Sequence, residues 1–264
     1  MSLVQPDLSR EPGPEWQRHV VAPSTIEVTR DGWRFTNNPL EGRRYTNAQI
    51  DDYQGRRRGD FPWRAPVSLT VRARFSHPFG ELVGTAGFGF WNDPLVMSGL
   101  RLPALPRAIW FFHGSPHNNI RLDLHTPGCG WKAATVDANR LPAYLLAPTL
   151  PLAVPLMNIR PMYRALWPVG QRAIAAREAL LDIDMTAWHT YQLDWGVRGA
   201  EFRVDGELVL RTDAAPRGRL GFVMWIDNQA MVATPWGRVG WRTVPIEQPQ
   251  WMEIGALRIE SAMR

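Results

Sequence analysis

The stretch VSLTVRARF, residues 67–75, decides the fold. Val67, Leu69, Val71, Ala73 and Phe75 alternate with Ser68, Thr70, Arg72 and Arg74. A period of two over nine residues is a β-strand with one face buried and one wet, the habit of an antiparallel sheet. Working outward, Thr25–Thr29 and Trp33–Thr36 flank a turn at Asp31-Gly32, and Arg43–Tyr53 reads as a further strand. Gly84–Asn92 and Ala108–His113 are more apolar, as buried strands are. Ile120, Leu122 and Leu124 alternate with Arg121, Asp123 and His125. Asp205-Gly206 joins Ala200–Val204 to Glu207–Arg211 as a hairpin, and Leu220–Ile226 and Trp251–Glu260 complete the set. About a dozen short strands without interleaved helices predict an all-β sandwich.

One segment departs from this pattern. Leu141–Ile159 carries no charge, and Pro142, Pro148, Pro151 and Pro155 argue against a long helix. Pro161–Asp182 reads as helical, in two pieces divided near Pro168, with Val169, Ala173, Ala176 and Leu180 on an inward face. The expected organisation is a loose N-terminal lead-in over 1–24 and one β-sandwich over 25–264. The sandwich carries an insertion at 141–182, an apolar Pro-rich coil followed by helix. Nine large aliphatic side chains between Leu141 and Ile159 predict that the insertion covers a groove or meets a second copy in a homodimer.

Composition narrows the classes. The chain has 264 residues and a net charge of +5, and Lys132 is its only lysine. The arginines are dispersed apart from Arg56-Arg57-Arg58, so there is no basic stripe for nucleic acid. Cys129 alone excludes an internal disulfide. No apolar run is long enough to span a membrane, and the first residues lack a leader pattern, so a cytoplasmic protein is expected.

Two further segments carry a resemblance. WHTYQLDW (188–195), followed by EFRVDGELV (201–209), resembles the late strands of concanavalin A-like lectins and glucanases, and glycoside hydrolase family 16 in particular. Residues 67–91 and 251–260 are similar to that family's sheet region and closing strand. The resemblance covers roughly residues 25–137 and 186–260. It implies a jelly roll with a groove that holds carbohydrate. The family's E-x-D-x-x-E motif places an acid–base and a nucleophile on one strand face. Here the matching strand, PRAIWFFH (106–113), has no carboxylate, and the motif is absent from the chain. Retaining glucanase chemistry is therefore not expected.

Within that frame, taking the all-apolar sets as core puts Trp91, Trp110 and Trp225 on the groove side. Aromatic faces there suit sugar rings or other flat ligands. The strand tips Asn92-Asp93 and Asp227-Asn228 offer polar ligand contacts, or oxygen ligands for calcium; such residues also make simple turns. His113 and Asp227 are the candidates for proton transfer. His113, His117 and His125 form the one grouping with metal-like spacing, although Gly114-Ser115-Pro116 removes the helical geometry that zinc sites use. Two functions stay open: a carbohydrate-binding or glycan-active protein, or a protein holding a lipid-like or polycyclic molecule under the 141–182 segment.

Overall fold

The computed structural model describes residues 2–42, 44–94 and 102–261. Arg43, where the sequence placed the start of a strand, lies outside them. Two antiparallel sheets face each other. The first runs, in spatial order, Glu207–Thr212, Ala200–Val204, His189–Trp195, Val67–Phe75, Gln250–Ser261, Gly32–Asn37 and Thr25–Thr29. The second runs Arg177–Leu180, Gly130–Asp137, Arg107–Gly114, Thr85–Trp91, Gly221–Asp227, Asn47–Asp51 and Gln17–Val21. A small third sheet, Val239–Thr243, Gln229–Ala233 and Asn119–Ile120, stands beside the second. The expected all-β jelly-roll sandwich is what forms. Val67, Leu69, Val71, Ala73 and Phe75 are all buried, as their alternation requires. Asp205 and Gly206 both take positive φ in the two-residue turn between Val204 and Glu207, the geometry of a tight hairpin.

The core between the sheets is an aromatic layer. Phe88 packs on Phe111, Trp131 and Tyr191 with ring centroids 5.7, 5.7 and 5.2 Å away. Tilted and edge-on contacts of this kind add to the stabilisation from burial itself. On the opposite surface of the first sheet, Arg72 and Arg74 lie over Trp188, and Arg34 over Trp251. Arg34 and Arg74 also pair with the enclosed Glu253 carboxylate. A flat guanidinium can stack and donate in this way at once, which a lysine cannot.

Several expectations are corrected. The expected loose lead-in over 1–24 is ordered from residue 2 onward: Ser2–Val4 pairs with the closing strand and Gln17–Val21 with Asn47–Asp51. Trp16, buried against Trp33 and Phe222, anchors them. The Leu141–Ile159 coil is helical, as Leu141–Leu146 and Leu150–Leu156 joined by a single tight turn. Pro142, Pro148 and Pro151 fall in first turns, where no backbone N–H is needed. Arg160–Ala173 is one helix and continues through Pro168. Residues 177–180 form an edge strand that leaves Leu180 exposed, Val169 lies on the exposed side of the helix, and only Ala173 and Ala176 turn inward. The helices dock through Met157, Tyr163 and Trp167 against Leu124 and Trp236. They nevertheless leave Leu141, Leu145 and Leu152 more than two-thirds exposed, against the expected burial. The alternation over 120–124 yields only the two-residue strand Asn119–Ile120.

Replacing Phe88 by alanine empties the centre of the aromatic layer. The expected loss is about 3–5 kcal/mol of stability, read as a lower denaturant midpoint at unchanged slope.

Candidate functional site

The side chains that face away from the core on the second sheet form the site. Strand Thr85–Trp91 sets the pattern. Phe88 and Phe90 point into the core, while Gly87 and Gly89 present no side chain to the other face. Gly87 stands opposite Trp225 on one neighbour and Phe112 on the other; Gly89 stands opposite Trp110. A Cβ at Gly87 would come within 3.1 Å of the Trp225 ring, and one at Gly89 within 2.5 Å of Trp110 Cβ. The glycines leave the space in which the flanking aromatic rings lie.

Those rings form one cluster. Trp110 sits 5.5 Å from Trp225, 5.6 Å from Phe112 and 5.8 Å from Trp91, centroid to centroid. Trp91 is fixed by its indole N–H donating to Tyr53 Oη at 2.8 Å. The Trp225 indole donates to Thr85 Oγ1, which in turn donates to Asp227 Oδ1 at 2.7 Å. The cluster borders a cavity of about 250 Å³, lined on further sides by Ile120, Leu122, Tyr45, Gln229 and Met231. The three tryptophans predicted for the groove therefore share one pocket.

Besides Arg107, two charged features line this pocket. Lys132, the sole lysine of the chain, is buried and pairs with Glu178 at 2.9 Å. Its ammonium also donates to Ile120 O, and the Glu178 carboxylate accepts from Leu122 N. Burial pushes the Glu178 carboxyl up against the downward pull of Lys132. A buried pair with both partners hydrogen-bonded is neutral overall, and it ties the edge strand to the loop over the pocket. The second feature is Asp227. It accepts from Thr85 N, Thr85 Oγ1 and Gln229 N, and all three bonds fall on Oδ1. Desolvation raises this carboxyl to about 6. A carboxyl at such a value exchanges protons near neutral pH, the property a general acid or base needs.

The remaining sequence candidates lie elsewhere. His113 points to the core face near Leu82 and Phe79, wholly enclosed, with its Nε2 3.2 Å from Leu82 O. Burial lowers it to about 4, so it is a neutral core histidine and not a pocket base. The parity of its strand explains this: Ile109, Phe111 and His113 share one face. His117 and His125 are exposed and do not converge with His113; among the described residues no three metal-ligating side chains gather. The Asn92 amide bridges Leu105 O and Arg107 N, and Asn228 bridges Arg44 O, Val244 O and Thr46 N. Both are clamps on backbone, with their side-chain oxygens already engaged, which corrects the ligand and calcium roles expected of them. Asp93 is buried at the turn after Trp91, with φ of 45°, and its carbonyl accepts from Arg58. Lys132, Glu178 and Tyr45 were not marked by any sequence pattern. Being the sole lysine was the one available signal for Lys132.

The Asp227 carboxyl yields a pH prediction. Its folded pKa lies above the unfolded value of 3.8, so the folded state holds the proton more tightly. The stability this confers is full below about pH 4 and is lost as pH rises through about 6. Asp227→Asn keeps the accepting oxygen and cannot ionise. The variant should gain on the parent by up to about 3 kcal/mol between about pH 4 and pH 8, measured by denaturant unfolding across pH. Parallel pH profiles for the two proteins would contradict it.

No protein-family model and no curated protein matches the sequence. Solved structures do match in architecture. Crh5 transglycosylase superposes with a TM-score of 0.53 at 14 % identity, covering 100 % of this chain and 85 % of that one. A GlcNAcα1-4Gal-releasing endo-β-galactosidase from Clostridium perfringens gives 0.52 at 11 %, covering 97 % and 61 %. A β-1,3-1,4-glucanase (lichenase) derived from a mouse hindgut metagenome gives 0.53 at 10 %, covering 98 % and 99 %. At these identities the likeness establishes architecture, and the chain has the concanavalin A-like jelly-roll fold.

Proposed function

We propose that the protein binds a carbohydrate ring in the aromatic pocket of the second sheet and does not cleave β-glucans by double displacement. The observation that carries this reading is the convergence of Trp91, Trp110 and Trp225 on one cavity. Aromatic faces pack against the C–H faces of sugar rings, and a few polar groups at the rim fix orientation. The structural neighbours named above are a transglycosylase and two glycan-cleaving enzymes, which supports a carbohydrate-related role. The cavity of about 250 Å³ lies just below the range of about 300–1,000 Å³ usual for drug-sized ligands, so its occupant is about one ring in size.

The polar groups of the pocket limit the chemistry. Glu178 is committed to Lys132, which leaves Asp227 as the carboxyl that can meet a ligand. One carboxyl can donate or accept a proton; a retaining mechanism needs two, about 5 Å apart. The reading therefore favours binding, or a reaction with a single proton-transfer group.

Titration calorimetry with methyl glycosides of glucose, galactose and N-acetylglucosamine tests the proposal. At least one should bind, and Trp110→Ala should weaken it about tenfold or more, as loss of a central aromatic anchor does. Laminarin and lichenan should remain uncleaved. Retained-configuration hydrolysis of either, or binding indifferent to Trp110→Ala, would overturn the reading.

A further inference from the structure

A second, larger cavity of about 840 Å³ lies between the sandwich and the helices of the insertion. Its helical wall is aliphatic and rich in small residues: Ala143, Leu146, Ala153, Leu166 and Ala173 among them. Sugar hydroxyls placed against these aliphatic side chains would find no hydrogen-bond partner in them, whereas an aliphatic chain needs none. Tyr144 and Leu150 line this cavity and are about half exposed, so it opens to the surface between apolar side chains.

Arg107 lines both this cavity and the aromatic pocket. Its backbone N–H is held by Asn92 and its Nη1 donates to Arg217 O at 2.6 Å. Its Nε–H is enclosed and has no acceptor among the described residues. An enclosed donor without a partner carries a desolvation cost that an oxygen supplied by a ligand would remove. The shared border thus offers a hydrogen bond to a linking oxygen, with an aromatic pocket to one side and an aliphatic cavity to the other.

We propose that the two cavities hold one amphiphilic ligand, a glycan-headed lipid whose sugar ring lies against Trp110 and whose aliphatic chain runs under the 141–173 helices, with its linking oxygen at Arg107. This rests on the carbohydrate reading of the aromatic pocket and adds the class of molecule that bears the sugar. The volumes are in proportion: the larger cavity lies within the range of about 300–1,000 Å³ that accommodates ligands of this size.

The experiment is a calorimetric titration of the full chain with methyl, octyl and dodecyl β-glucosides below their micellar concentrations, and with dodecanol. Affinity should rise from methyl to dodecyl by roughly fourfold per buried methylene. Ala153→Trp, which fills the chain cavity, should abolish that length dependence and leave methyl glucoside affinity unchanged. Ala143→Phe serves the same purpose where A153W fails to fold. Trp110→Ala should weaken all three glucosides, and Arg107→Gln should weaken them by several-fold. Equal affinity at every chain length would overturn the chain site while leaving the carbohydrate reading intact. Dodecanol binding as tightly as dodecyl glucoside, with Trp110→Ala silent, would overturn both.

Discussion

The pocket depends on one alternation, Gly87-Phe88-Gly89-Phe90. Its two phenylalanines enter the layer between the sheets, where Phe88 meets Phe111, Trp131 and Tyr191. Its two glycines leave the opposite face bare. A bare strip in mid-sheet exposes backbone, which the aromatic rings of the flanking strands cover from both sides. Trp225 and Phe112 do so at Gly87, and Trp110 at Gly89. One strand therefore fixes both the packing of the sandwich and the placing of the aromatic cluster. Strand pairing enforces it, because a slip of one residue would turn the phenylalanines into the pocket and the glycines into the core.

Charge is arranged so that little is left uncompensated around that cluster. The chain's sole lysine is spent on an enclosed pair with Glu178, which links the edge strand Arg177–Leu180 to the loop at Ile120 and Leu122. On the far side of the sandwich, Glu253 is satisfied by Arg34, Arg74 and Thr29, and the same arginines lie over tryptophan rings. The tryptophan-rich composition thus serves three surfaces. Trp33, Trp131 and Trp195 fill the core, Trp91, Trp110 and Trp225 make the pocket, and Trp188 and Trp251 lie under arginines.

The strands with one wet face were legible in the sequence because alternation reports a single buried side. Val67–Phe75 and the Asp205-Gly206 hairpin are the clearest cases. The parity argument also separated Trp91, Trp110 and Trp225 from Phe88, Phe111 and Phe222. The same parity puts His113 on the face of Phe111, the core face, but its chemical identity was read as that of a base and the structure had to correct it. Gly130–Asp137 was not legible: it is buried throughout, so WKAATVD shows no alternation. Gln17–Val21 was missed because a mostly exposed edge strand carries polar residues. In the insertion, prolines read as breakers in fact stand mostly in first turns, where their missing N–H costs nothing. Lys132 and Glu178 meet only through the pairing of Gly130–Asp137 with Arg177–Leu180, a long-range register that no local pattern records.

The central claim is that the aromatic cluster is a ligand surface and not merely a second core. A crystal structure of the protein soaked with dodecyl β-glucoside addresses it directly. The account predicts a sugar ring packed on the face of Trp110, near the Asp227 carboxyl, with the chain continuing past Arg107 beneath the helices. An empty aromatic pocket at full soaking concentration, with Trp91 and Trp110 closed on each other, would contradict it.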